Sequence, residues 1–169
     1  MKKLNSKKYP NIQYKNGEEL FLSPDESGLP FWFDVEGGLT RDDEAMAMVA
    51  VALDEVENFE KTAKEFLKSV LSDENDQKYD VVSYFMEFHR DEIEPNAVAE
   101  LFPVDDPAKL SFAEMVDYLR INRFGSIIDG ETGHQGFIMD LNFNPEITDE
   151  LMVIYFNSNK QITDVAHES

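Results

Sequence analysis

The pattern that most constrains this chain is a change of hydrophobic period along its length. Val56, Phe59, Ala63, Phe66, Leu67, Val70 and Leu71 recur at helical spacing and form one apolar stripe. From Phe137 the period becomes two, with Phe137, Met139, Leu141 and Phe143 alternating with their neighbours. These two patterns require a helical part and a sheet part that share a core.

The sheet part extends over the last third. Leu151-Met152-Val153-Ile154-Tyr155-Phe156 is apolar throughout and reads as a central strand buried on both faces. Asn157-Ser158-Asn159-Lys160 turns the chain into a last strand over residues 161–166, and Phe124-Gly125-Ser126-Ile127-Ile128 opens the set. The N-terminal third is also extended. Glu19-Leu20-Phe21-Leu22 is one candidate strand and Phe31-Trp32-Phe33-Asp34-Val35 another, stopped by Gly37-Gly38. Phe31-Trp32-Phe33 reads as a core strand, with Trp32 opposite its neighbours, in preference to an exposed anchor.

Three helices are expected between these strand groups. The first follows the stripe from Val56. The second covers residues 80–91, with Val81, Tyr84, Phe85 and Phe88 inward. The third starts at Ser111, where Ser111 and Glu114 form a capping box ahead of Phe112, Met115, Val116, Leu119 and Ile121. Residues 45–53 are apolar throughout and leave two readings open. Alanine and methionine favour helix, and Thr40 with Asp43 offers a capping box. One helix from there to Leu71 would be about 31 residues, long for a domain of this size, so a buried strand ending at Asp54-Glu55 is preferred. The fold class is α+β: N-terminal strands, three central helices and a C-terminal antiparallel β-meander forming one sheet. The polar run over residues 72–78 and the proline-bounded stretch over 94–107 read as loops, and residues 1–169 as a single domain.

Composition narrows the function classes. Hydrophobic residues at 42%, with 13 Phe, are too many for a disordered acidic tail. With no cysteine, there is no disulfide scaffold and no thiol chemistry. The 35 acidic residues against 15 basic give a net charge of −20, unevenly placed. Residues 1–15 hold five lysines and no acid, and read as a basic, poorly ordered arm. The remainder carries 10 basic and 35 acidic side chains, and between 40 and 108 there are 19 acids against six bases. Such a field repels nucleic-acid phosphate and anionic lipid, and it suits a basic partner or plain solubility. The basic start is not followed by the apolar segment of a signal peptide, so a cytoplasmic protein is expected.

No motif here carries chemistry on its own. His89 and Glu92 lie one helical turn apart without a second histidine, which suits an ion-paired surface better than zinc. Asp73-Glu74-Asn75-Asp76 and Asp129-Gly130-Glu131-Thr132-Gly133-His134 lack the ligand pattern of a calcium loop and read as turns. There is no nucleophile elbow and no phosphate-binding glycine loop. His167-Glu168-Ser169 is expected to fray. No metal, cofactor or catalytic residue is assigned.

Thr148-Asp149-Glu150-Leu151-Met152-Val153-Ile154-Tyr155-Phe156 with residues 162–169, and Tyr84-Phe85-Met86-Glu87-Phe88-His89, resemble a bacterial domain-of-unknown-function family of small acidic proteins. The resemblance covers residues 31–169, and the lysines before Tyr9 lie outside it. It implies an N-terminal strand pair, a helical middle and a C-terminal antiparallel sheet, and it favours strand over residues 46–53. It also implies an immunity-type role beside a toxin, and supplies no functional residues. The leading expectation is therefore a non-enzymatic acidic protein that binds a basic protein, with Asp42, Asp43, Glu44, Asp73, Glu74 and Asp76 as contacts. The alternatives are a small metal-dependent hydrolase using His89, His134 or His167, and a housekeeping domain whose charge serves solubility.

Overall fold

A computed structural model describes residues 1–169. Two short strands, β1 (Lys2–Lys3) and β2 (Gln13–Tyr14), pair with each other, and six more form one sheet. These are β3 (Leu20–Leu22), β4 (Trp32–Val35), β5 (Arg120–Ile128), β6 (Gln135–Asn142), β7 (Leu151–Asn157) and β8 (Ile162–Glu168), and their order in the sheet follows the chain. Every neighbouring pair is antiparallel except β4–β5, which is parallel. A parallel pair needs a long crossover, and the helices of the middle of the chain supply it. They are α2 (Gly37–Thr40), α3 (Asp43–Asp54), α4 (Val56–Leu71), α5 (Tyr79–Glu87), α6 (Pro95–Leu101) and α7 (Phe112–Val116); a single turn, α1 (Pro24–Ser27), links β3 to β4. The α+β class holds, with more helices than the three expected. None of them is long and apolar enough to cross a membrane.

Residues 45–53 are helix, not strand. Asp42 caps α3, its Oδ1 accepting from the amides of Glu44 at 2.9 Å and Ala45 at 3.3 Å. Asp43 and Glu44 in the first turn complement the helix dipole. The cap is Asp42 rather than Thr40, whose buried hydroxyl donates to the carbonyls of Glu18 and Gly37. The objection from length disappears because the helical run breaks at Glu55, which has left helical geometry at φ −106° and ψ 17°. α3 then buries Ala45, Met46, Val49, Ala50, Ala52 and Leu53 at helical spacing, and α4 buries Val56, Phe59, Ala63, Leu67 and Val70 of the expected stripe, with Phe66 and Leu71 half-buried against the core.

Two further helices correct the reading of faces. α5 buries Val82, Phe85 and Met86, and a π-turn over Phe88–Glu92 carries His89 inward as the next member of that stripe, leaving Tyr84 exposed. The Ser111–Glu114 capping box forms as expected, but α7 ends at Val116, and Ile121 belongs to β5.

Both termini are tied down. In place of a poorly ordered arm, β1 and β2 pair, and Leu4, Ile12 and Tyr14 are buried in the main core. Lys2 bonds Asp43 at 2.8 Å and Lys8 lies 3.9 Å from Glu57, so part of the basic charge is folded onto the acidic helices. Asp54 at the end of α3 accepts from the Ser6 hydroxyl at 2.6 Å and the Lys7 and Lys8 amides at 3.0 Å. At the other end, His167 and Glu168 belong to β8 and do not fray.

Partial burial alone would raise the Asp54 carboxyl, but the three hydrogen bonds outweigh it and hold the group below its ordinary range. A carboxyl lowered in the fold contributes stability above its unfolded value, near pH 4, that is lost as pH falls through the folded value. Asp54→Ala is expected to cost about 1–2 kcal/mol at pH 7 in urea denaturation and to speed amide exchange over residues 2–14. The gap to wild type should narrow below about pH 4. A variant with wild-type stability and exchange would show that Asp54 does not anchor this segment.

Candidate functional site

The two faces of the sheet have different fates. One meets the helices: Phe59 of α4 packs its ring against Phe124, Phe137 and Phe156, with centroids 5.2, 5.5 and 4.9 Å away. The opposite face carries no helix layer. Ile138 and Val153 on it are buried by neighbouring side chains but stay outside the main core cluster.

Arg123 of β5 lies across the middle of this open face. Its Nε and Nη2 reach Asp140 of β6 at 2.7 and 3.3 Å, and its Nη1 reaches Asp34 of β4 at 2.9 Å. Burial works against the guanidinium charge, but the two carboxylates overcome it and hold Arg123 above its usual pKa. Asp34 is seated because position 125, its register partner, is glycine: a Cβ there would stand 2.1 Å from Asp34 Oδ1 and 2.4 Å from its carbonyl oxygen. At the β3–β4 edge of the sheet Phe21 and Trp32 pack with ring centroids 5.5 Å apart while remaining 52% and 39% exposed. Trp32 thus lies opposite buried Phe31 and Phe33, as expected, but in solvent.

A bulge in β5 builds a cavity beside the network. Ile121 pairs with Leu141 and Arg123 with Asp140, so Asn122 is an inserted residue. Residues three apart on a regular strand point to opposite faces. The insertion instead returns Arg120, the register partner of Asn142, to the side of Arg123. The result is a cavity of about 250 Å³ walled by Trp32, Arg120, Asn122, Asn142 and the rings of Pro24 and Pro145.

The acids expected to meet a partner are not brought together. Asp42 caps α3 and Asp43 pairs with Lys2. Asp73 and Asp76 accept from the amides of Asn75 at 3.0 Å and Lys78 at 2.8 Å, closing the turn after α4. Glu44 and Glu74 are exposed. The two groups lie at opposite ends of the α3–α4 run.

The histidines divide. His134 lies in the β5–β6 loop, where Asp129 accepts from the amides of Glu131 and Thr132, an Asx turn rather than a ligand loop. His89 and His167 both pack against Phe85. His89 is fully buried, not an ion-paired surface residue beside Glu92. Its Nδ1 donates to the Phe85 carbonyl at 2.8 Å, and its Nε2 accepts from the Thr148 hydroxyl at 2.9 Å. Burial holds its pKa below the usual value, so the ring is neutral and ties the end of α5 to the β6–β7 connection. His167 Nε2 meets Glu150 at 3.0 Å. No three of the histidines, aspartates and glutamates are placed to hold a metal ion.

Sequence reasoning passed over Asp34, Arg120, Arg123, Asp140 and Asn142. Two signals were present: charges inside strand patterns, and Gly125 within a β-branched and aromatic run. The chain matches no protein-family model, no curated protein and no solved structure.

Removing Arg123 would leave Asp34 and Asp140 as neighbouring carboxylates without their cation. Arg123→Met is expected to cost about 3 kcal/mol in urea denaturation. Adding Asp34→Asn and Asp140→Asn in that background should recover about 1 kcal/mol or more, because the uncompensated charges are gone. A loss below about 1 kcal/mol for Arg123→Met alone would show that the network contributes little.

Proposed function

We propose that this is a non-enzymatic cytoplasmic protein that binds a basic protein partner, with an immunity-type inhibitor of a basic toxin as the concrete form implied by the family resemblance. The observation that carries this reading is the charge: −20 overall, with two of the five N-terminal lysines, Lys2 and Lys8, folded back towards Asp43 and Glu57. A field of this sign speeds encounter with cationic surfaces and opposes phosphate backbones and anionic lipid. The exposed Phe21–Trp32 pair supports the reading with a second ingredient, since interface anchors are commonly aromatic. In this division of labour the scattered acids, Glu44 and Glu74 among them, set the rate of encounter, and the open sheet face supplies the contact.

Affinity capture from the native host at low salt, followed by binding kinetics on the recovered partner, tests this. The expected partner is basic and is encoded beside this chain. Its association rate should fall at least about tenfold between 50 and 500 mM salt. Phe21→Ala with Trp32→Ala should weaken affinity at least about tenfold, mainly through faster dissociation. Glu44→Lys with Glu74→Lys should slow association alone. Recovery of only acidic partners, or association insensitive to salt, would overturn the proposal.

A further inference from the structure

The cavity at the β5 bulge has an unusual balance of hydrogen-bonding groups. Four of its wall residues carry N–H donors: the Trp32 indole, the Arg120 guanidinium, and the amides of Asn122 and Asn142. None of these four side chains makes a hydrogen bond or ion pair within the chain, whereas Arg90 and Arg123 are both held by carboxylates. Asn142 is 3% exposed, and its amide nitrogen is buried without a partner, an arrangement that costs free energy unless an acceptor is supplied. Glu57 and Glu60 line the adjoining cavity on the other side of Arg120 but lie beyond ion-pair distance of it. Arg120, like the exposed Arg41, pairs with no acid of the chain, and of the two it is Arg120 that borders this cavity.

What such a wall lacks is an acceptor. A carboxylate presents two oxygens in the plane that an arginine fork bonds bidentately, with lone pairs left for an amide N–H. Trp32 and the rings of Pro24 and Pro145 supply apolar wall for a flat body behind that head group. About 250 Å³ lies just below the range of drug-sized pockets and suits a fragment of one ring. We propose that this cavity binds a small organic carboxylate, with Arg120 and Asn142 holding the carboxylate and Trp32 covering its body. The site shares Trp32 with the proposed partner contact, but Arg120 and Asn142 are not part of that contact, so substitution of Arg120 tests this site separately. It is created by the inserted residue Asn122, which places Arg120 beside Asn142.

Trp32 is the single tryptophan, so tryptophan fluorescence reports on the surroundings of this one side chain, which borders the cavity. The test is titration of the full chain at constant ionic strength with benzoate, with benzyl alcohol as a neutral body of the same size, and with acetate as the head group alone. Benzoate should give a saturable change, with benzyl alcohol and acetate each at least about tenfold weaker. Arg120→Ala is on the exposed end of β5 and should keep the wild-type unfolding midpoint while reducing benzoate to the level of benzyl alcohol. Arg120→Lys should bind benzoate between the two, because it keeps the charge but loses the fork. A change that stays linear in benzoate, equal responses to benzoate and benzyl alcohol, or unchanged benzoate binding in Arg120→Ala would each overturn the proposal.

Discussion

The architecture depends on the parallel pairing of β4 with β5. It joins two parts of the chain that have no other reason to share a sheet: the N-terminal hairpin of β3 and β4, and the meander from β5 to β8. Everything between Val35 and Arg120 must then leave one end of the sheet and return to the other, and a helical layer is the compact way to do so. That layer covers one face only. Arg123 reinforces the junction from the uncovered side, because a single guanidinium bonds strands on both sides of its own. The short β4, four residues long, is thereby held by backbone pairing, by apolar burial of Phe33 and Val35 on one face, and by a charge-assisted bond through Asp34 on the other.

How far this was legible in the amino-acid pattern follows from which forces are local. The α4 stripe, the Ser111 cap and the meander strands β6, β7 and β8 depend on neighbours within a few residues, and they were readable, whereas the first half of β5 was not. α3 was misread because an alanine- and methionine-rich run is apolar on all sides, so periodicity cannot separate helix from buried strand; the deciding facts were the Asp42 cap and the break at Glu55. The lysine-rich start looked like a loose arm because its anchors lie far along the chain, Asp54 for Ser6 and Asp43 for Lys2. The α5 stripe was placed one residue early because His89 was counted as polar, although with both nitrogens bonded it packs as a core residue.

The candidate site was the least legible part, for a related reason. Alternation assigns a strand residue to a face only while the strand is regular, and one inserted residue reverses the assignment beyond it. Without knowledge of the bulge, Arg120 and Arg123 would be placed on opposite faces. With it, they share a face with Asp140 and Asn142, one arginine satisfied by two carboxylates and the other by none. The acids proposed from sequence had the opposite fault. They were conspicuous as charge, yet Asp42, Asp73 and Asp76 bond backbone amides in caps and turns, the work that aspartate does locally in most chains.

The contrast between the two arginines separates structure from recognition on the open face. Arg123 is enclosed, its donors are matched by carboxylates on adjacent strands, and its removal would strand those charges, so its role is internal to the fold. Arg120 lies only three residues away, but its guanidinium is unmatched and borders open space. A group that stabilises the fold acts by finding its partner within the chain. Arg120 contributes no such bond, and it is the buried Asn142 amide beside it, left without an acceptor, that makes this end of the face a candidate for a ligand from outside the chain.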